Sequence, residues 1–150
     1  MMRLIALILF AITLGCSRKK CFTPPPPTPI RLVNSTGQDL LNPQNPNAYS
    51  ISDIRIHHLE NGITKYHVVA LDSSLATNTY LLLNDLSWYA QNGRNFYIQL
   101  AYNDIDTIYL RCDEVNEHSC TSFELKEFKY NNVTIPLKVL GGIYAYEVTK

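Results

Sequence analysis

From residue 30 onward, apolar and polar positions alternate over short segments, without a long stretch of helical periodicity. The clearest alternation runs from Asn95 to Tyr102, where every even-numbered position is apolar or aromatic. The segment that follows repeats the pattern at Ile108, Leu110 and Cys112. A strand with one buried face shows this period of two. The pattern therefore predicts an all-β fold.

The two segments also predict the register in which they pair. If they share a buried face, even-numbered residues must lie opposite even-numbered residues, which requires a connecting loop with an odd number of residues. The simplest such loop is Asn103–Ile105. Further along the chain, the apolar positions change phase between Leu125 and Phe128, which predicts a β-bulge near Lys126 and Glu127.

Turn signals separate the predicted strands. The strongest is Asn61–Gly62, because a type I′ hairpin turn needs positive φ at both central positions. A second hairpin is predicted at Asn131–Asn132, and Gly141–Gly142 precedes a last strand. These signals divide the sequence into about seven or eight short strands, which is typical of an antiparallel β-sandwich.

Composition limits the domain number and the partners. Residues 30–150 suffice for one hydrophobic core and are too few for two. The 13 basic and 13 acidic residues give a formal net charge of zero. Because such a chain has no strong electrostatic field toward polyanions, we expect no nucleic-acid partner.

The N-terminus has the layout of a secretory signal. Arg3 precedes an apolar run from Leu4 to Leu14, which is too short to remain as a membrane-spanning helix. Residues 1–15 are therefore predicted to be a signal peptide. Gly15 followed by Cys16 resembles the lipobox of bacterial lipoproteins, which implies acylation of Cys16 and cleavage before it. We expect a cell-envelope protein held in a membrane by its lipid, in the outer membrane.

A proline-rich segment follows the predicted lipidation site. Ser17–Lys20 is basic and suits anionic head groups, and Pro24–Pro29 contains five prolines. Prolines fix φ and remove backbone donors, so this segment is predicted to be an extended polyproline II spacer of roughly 20 Å. The predicted division is thus a lipid anchor and spacer at residues 16–29 and a β-sandwich at residues 30–150.

The cysteines indicate a disulfide. Cys112 and Cys120 flank a polar loop, and its symmetric closure would place them opposite each other in an antiparallel pair. We therefore expect a Cys112–Cys120 bond, with Cys21 as the odd thiol if Cys16 is lipidated. Two alternatives stay open: Cys21 can compete for either partner, and Cys112 can be a free thiol facing the core.

Candidate catalytic and metal-binding residues are few. With a two-residue turn, His58 lies opposite Lys65 and diagonal to His67, but that face also carries apolar residues, so we expect structural histidines and no metal site. Asp104 and Asp106 are interpreted as turn-forming residues. The sequence contains no serine-hydrolase elbow, zinc-protease motif or phosphate-binding glycine loop. We therefore expect no enzyme activity and no cofactor.

Aromatic residues are the remaining candidates for binding. Trp88 and Tyr89 lie between a predicted strand end and an Asn-Gly pair, where exposed rings can stack on sugars or contact a protein. Most of the aromatic residues, in contrast, are expected in the core of the sandwich or in cross-strand pairs. The predicted function is a non-catalytic binding or assembly role for a lipid-anchored protein, with an envelope protein or glycan as partner. The alternatives are a glycan-binding module that uses Trp88 and an envelope hydrolase with an unrecognised site.

Three segments of the sequence are informative in combination: Ser35–Pro43, Ser52–Ile56 and Asp104–Ile108. Together they resemble small envelope lipoproteins of the Bacteroidota type. The resemblance implies an immunoglobulin-like or transthyretin-like sandwich and no particular activity. In addition, Asp106-Thr107-Ile108 resembles the O-glycosylation signal of this bacterial group, which makes Thr107 a candidate for glycan attachment.

Overall fold

The computed structural model describes residues 21–73, 78–117 and 120–150. These residues form twelve strands and one short helix. The strands are β1 (Cys21–Phe22), β2 (Thr28–Val33), β3 (Arg55–Glu60), β4 (Ile63–His67), β5 (Ala70–Asp72), β6 (Tyr80–Leu83), β7 (Arg94–Ala101), β8 (Asp104–Glu117), β9 (Cys120–Tyr130), β10 (Val133–Thr134), β11 (Leu137–Leu140) and β12 (Ile143–Thr149), and the helix is α1 (Leu86–Tyr89). Among the described residues, no helix has the length and apolar character that crossing a bilayer requires.

The strands form two sheets. The larger has the order β1-β9-β8-β7-β3-β4, with β10 also paired to β9, and the smaller has the order β11-β12-β2-β6-β5. In the described part of the chain the pairs are antiparallel except β1 with β9 and β12 with β2, which are parallel. The prediction of a purely antiparallel fold is wrong for these two pairs. Alternation along a strand carries no information about the direction of the neighbouring strand, so these two parallel pairs could not be predicted from the pattern.

One hydrophobic core lies between the sheets. Ile30 and Leu32 of the smaller sheet and Ile56 and Phe96 of the larger sheet all belong to it and are fully buried. The all-β prediction is confirmed, and two sheets that share a core are compatible with a β-sandwich. The strand number exceeds the predicted seven or eight because several short strands, such as β1 and β10, are too brief to show alternation.

The predicted hairpin turns are present. Asn61 and Gly62 have φ values of 52° and 78°, and Glu60 pairs with Ile63 on either side of them. The β9–β10 turn follows the same rule, because Asn131 and Asn132 also have positive φ. Asparagine tolerates this region better than most residues, which explains why these pairs mark the turns.

The predicted register is present in the hairpin formed by β7 and β8. Phe96 pairs with Ile108 and Ile98 pairs with Asp106, so even positions do lie opposite even positions. The connecting loop is shorter than the three residues expected, because β8 already begins at Asp104. An irregularity in the pairing between Gln99 and Ala101 compensates, so that even-numbered residues still lie opposite each other.

The bulge predicted in β9 is present as well. Arg111 pairs with Glu127 while Cys112 pairs with Leu125, which leaves Lys126 without a direct partner in the register. The extra residue shifts the apolar positions of β9 from odd to even.

The proline-rich segment packs on the domain. β2 begins at Thr28, two residues before the expected boundary, and Thr28 is fully buried opposite Leu83. The Ser87 hydroxyl donates a hydrogen bond of 2.9 Å to the carbonyl oxygen of Pro26, and Pro25 is buried. Residues 25–28 therefore belong to the folded unit.

Candidate functional site

The disulfide joins Cys21 to Cys120, not Cys112 to Cys120. Parallel pairing of β1 with β9 places the Cα atoms of Cys21 and Cys120 4.5 Å apart. The Cys112–Cys120 prediction is wrong because the expected loop is mostly strand: β8 continues to Glu117, which lies opposite Cys120. Cys112 lies further down the hairpin, opposite Leu125. Cys16 lies outside the described residues.

Cys112 is a free and fully buried thiol. Burial raises its pKa, and the nearby Asp113 carboxylate raises it further, because both disfavour the negatively charged thiolate. A protonated, inaccessible thiol is a poor nucleophile. Cys112 therefore has the properties of a core residue.

An aromatic patch lies beside the disulfide. It consists of Phe22, Trp88, Tyr89 and Phe123. The Phe22 ring stacks on Trp88 with centroids 5.8 Å apart, and Phe123 contacts both rings at 5.9 and 5.4 Å. Phe22, Trp88 and Tyr89 are 56%, 43% and 42% exposed. The two candidate rings from the sequence, Trp88 and Tyr89, are both exposed, and Phe22 is an addition that contacts Trp88 only because β1 pairs with β9.

The short helix α1 carries two residues of this patch. Leu86 and Ser87 are fully buried and anchor the helix, which leaves the next two side chains, Trp88 and Tyr89, toward the surface. Tyr89 also contacts the rings of His58 and His67, with centroids 5.2 and 5.0 Å away. The aromatic patch therefore borders the second cluster of interest.

That second cluster is a histidine chain formed by His58, His67 and Asp85. Nδ1 of His58 lies 2.7 Å from Nε2 of His67, and Nδ1 of His67 lies 3.0 Å from Oδ2 of Asp85. The predicted register of His58 opposite Lys65 is confirmed. Glu60, at the end of the same strand, faces Arg94, with 3.5 Å between its Oε1 and Nη1 of Arg94.

His58 is buried without a partner for its second nitrogen. The residue is fully buried, and its Nε2 atom has no hydrogen-bond partner. Burial lowers the pKa of His58, and the positive charge of Arg94 and the neighbouring His67 lower it further. A neutral, inaccessible imidazole suits a structural role. Among the described residues, no group of three or more His, Cys, Asp or Glu side chains is placed to hold a metal ion.

Asp104 and Asp106 lie in strand β8, not in a turn. Lys150 donates to both carboxylates, and its Nζ lies 2.6 Å from Oδ1 of Asp104. Tyr130 and Asn131 donate to Asp106 at 2.6 Å each. These five residues, Asp104, Asp106, Tyr130, Asn131 and Lys150, form an acid cluster that could not be predicted, because Lys150 is far from the two aspartates in the sequence.

The protonation states of the acid cluster follow from these contacts. Burial opposes ionisation of Asp106, but hydrogen bonds from Asn131, Lys150 and Tyr130 outweigh it and lower its pKa. The Tyr49 hydroxyl donates to Asp104 at 2.7 Å, and burial together with this bond raises the pKa of Tyr49 to about 12. Each carboxylate oxygen of Asp104 and Asp106 accepts a hydrogen bond from a donor of the same chain, so the cluster stabilises the fold.

Thr107 is half-buried within β8, opposite Tyr97. Its hydroxyl donates to Oδ1 of Asn131 at 3.2 Å, and its backbone N–H donates to the same oxygen at 2.8 Å. Glycosylation of Thr107 stays a prediction. The intact mass of the native protein tests it.

No protein-family model, curated protein or solved structure shows a significant match to this chain. Its function is therefore inferred from the chemistry of its own surface and termini.

Proposed function

We propose that this protein is a lipid-anchored protein of the cell envelope, in the outer membrane, with a non-catalytic binding or assembly role. The observation that carries the proposal is the Cys21–Cys120 pairing. Disulfides persist in oxidising compartments such as the periplasm and the cell surface, which suits a chain that begins with a predicted signal peptide and lipobox. The two-sheet core also supports the immunoglobulin-like or transthyretin-like sandwich that the resemblance implies.

The binding role is favoured over catalysis by the state of the polar clusters. His58 is buried, and the Asp106 carboxylate of the acid cluster already accepts hydrogen bonds from Lys150 and Tyr130. An enzyme needs such groups within reach of a substrate. The exposed aromatic patch, in contrast, offers apolar area that a partner can cover.

Lipidation is tested by labelling cells with an alkyne-tagged fatty acid. The native protein should incorporate the label at Cys16 and float with membranes, and Cys16→Ala should lose both properties. Cys112→Ala is the matched control, because it removes another cysteine far from the predicted lipobox. Acyl label retained by Cys16→Ala would contradict the proposal.

Glycan binding is the second candidate, and exposed Trp88 and Tyr89 favour it. Rings that stack on sugars need a free face. Phe22 covers one face of Trp88, so a sugar would stack on the other face of Trp88 or on the exposed ring of Tyr89. Calorimetric titration with peptidoglycan fragments tests this function: binding that Tyr89→Ala abolishes and Tyr144→Ala preserves would support it.

A further inference from the structure

The disulfide fixes the aromatic patch close to the predicted lipid. Cys16 and Cys21 are five residues apart, and a fully extended chain covers at most about 3.6 Å per residue, or roughly 18 Å in total. Phe22 follows Cys21 directly, and it stacks on Trp88. The inference rests on the proposed lipidation of Cys16, since the lipid defines one end of this distance.

Because of the same disulfide, the proline-rich segment is not part of the tether, which is the stretch of chain between Cys16 and Cys21. The prolines begin at Pro24, after the chain is already joined to β9 through Cys21 and Cys120. A backbone hydrogen bond of 2.9 Å from Thr23 to Thr121 extends this attachment. The prolines therefore cannot lift the domain away from the bilayer, although the sequence suggested a spacer.

We propose that the aromatic patch lies against the lipid surface that holds the acylated N-terminus. Trp and Tyr side chains concentrate at membrane–water interfaces, because their rings are apolar and their polar atoms remain hydrated. Trp88 and Tyr89 supply two such rings, and Phe22 adds a purely apolar ring beside Trp88, next to the site where the tether leaves the domain. A membrane is the one partner that the anchor itself brings to this surface.

The charges near the tether indicate that insertion of the aromatic rings into the bilayer contributes more to membrane docking than electrostatic attraction does. Arg18, Lys19 and Lys20 favour anionic head groups, but Glu117 lies opposite Cys120 and Glu114 is on the same hairpin. These opposite charges partly cancel. We therefore expect docking on zwitterionic as well as anionic bilayers, with a weak dependence on salt.

Trp88 is the only tryptophan in the sequence, so fluorescence reports directly on the patch. The native lipoprotein is reconstituted in phosphatidylcholine vesicles that contain lipids brominated at a shallow or a deep acyl position. We expect bromine to quench Trp88, and the shallow position to quench it more strongly. Phe22→Ala should weaken the quenching, because it removes the ring that packs on Trp88 while keeping the disulfide.

Tyr144→Ala is the matched control, because it removes an aromatic side chain that is 67% exposed and lies on β12 of the other sheet. This variant should keep the native quenching. Mass spectrometry and vesicle flotation are measured on the same samples. An acylated, floating protein without bromine quenching overturns membrane docking and leaves the proposed anchor intact, whereas a protein that lacks acyl groups and does not float overturns both.

Two other results would also overturn docking. A Trp88 emission shift that depends on protein concentration and not on bromine would assign the patch to a second copy of this chain. A shift produced by peptidoglycan fragments in the absence of bromine quenching would assign it to a glycan.

Discussion

Nδ1 of His58 lies 2.7 Å from Nε2 of His67. At this distance one nitrogen donates a hydrogen and the other accepts it. A proton added to His58 would give both of its nitrogens a hydrogen, although Nε2 is buried without an acceptor. The contact between the two imidazole rings therefore favours the neutral form of His58.

Stability should fall as the pH falls through the unfolded-state pKa of this histidine. The folded-state pKa of His58 lies below its ordinary value of 6.5, so the unfolded chain takes up the proton first. The stabilisation is present above about pH 6.5 and is progressively lost below it. Urea unfolding between about pH 8 and pH 5 measures the loss.

His58→Gln should show a shallower fall over the same pH range, since glutamine does not ionise. His57→Gln is the matched control, because it removes a histidine from the neighbouring position of the same strand. An equal pH dependence in His58→Gln and the native protein would contradict the assignment.

Reducing the disulfide should destabilise the protein strongly. The bond joins residues 99 apart, and on the chain-entropy model a loop of this length contributes about 4 to 5 kcal/mol. Cys120→Ser should reproduce the effect in denaturant unfolding. Cys112 should remain the unoxidised thiol in non-reducing peptide mapping, and recovery of a Cys112–Cys120 peptide would refute the Cys21 pairing.

Removing the proline-rich segment should also cost stability. Chains that begin at residue 23 and at residue 30 both lack Cys21, so their comparison isolates this segment. The shorter chain loses buried Thr28 and the Ser87–Pro26 hydrogen bond, and its unfolding free energy should fall by more than about 1 kcal/mol. Equal denaturant midpoints would mean that the segment is a free spacer, as the prolines alone suggested.

Lys150 should contribute more than an ordinary surface lysine. Lys150→Met leaves the buried Asp106 carboxylate without its cation, which should cost about 3 kcal/mol. Lys138→Met breaks an exposed pair with Glu147 and should cost less than about 1 kcal/mol. Urea unfolding of both variants makes the comparison, and equal losses would rule out a special role for the acid cluster.

Local features could be predicted from the sequence, whereas contacts between distant segments could not. Asn61–Gly62 marks its turn because positive φ is a property of those two residues, and the phase change around Lys126 marks its bulge for a similar reason. In contrast, the partner of Cys120 depends on which strand lies beside β9. That choice results from packing of the whole chain, and no local pattern encodes it.

In the candidate site too, local features were predictable and contacts between distant segments were not. Exposure of Trp88 and Tyr89 was predictable from their polar surroundings, but Phe22 reaches Trp88 through the parallel β1–β9 pair. Asp85 was missed as the carboxylate of the histidine chain because it lies in the turn before α1, 18 residues from His67.

The parallel β2–β12 pair decides when this protein can fold. Arg31 of β2 pairs with Glu147 of β12, 116 residues later, and these two strands lie next to each other in the middle of the smaller sheet. Hairpins such as β7–β8 can form while later segments are still being made, but the smaller sheet lacks a central strand until β12 is present. A chain exported before its synthesis is complete would therefore cross the membrane with this sheet unformed. The native packing of such a chain would become possible only on the far side, once the last strand has emerged.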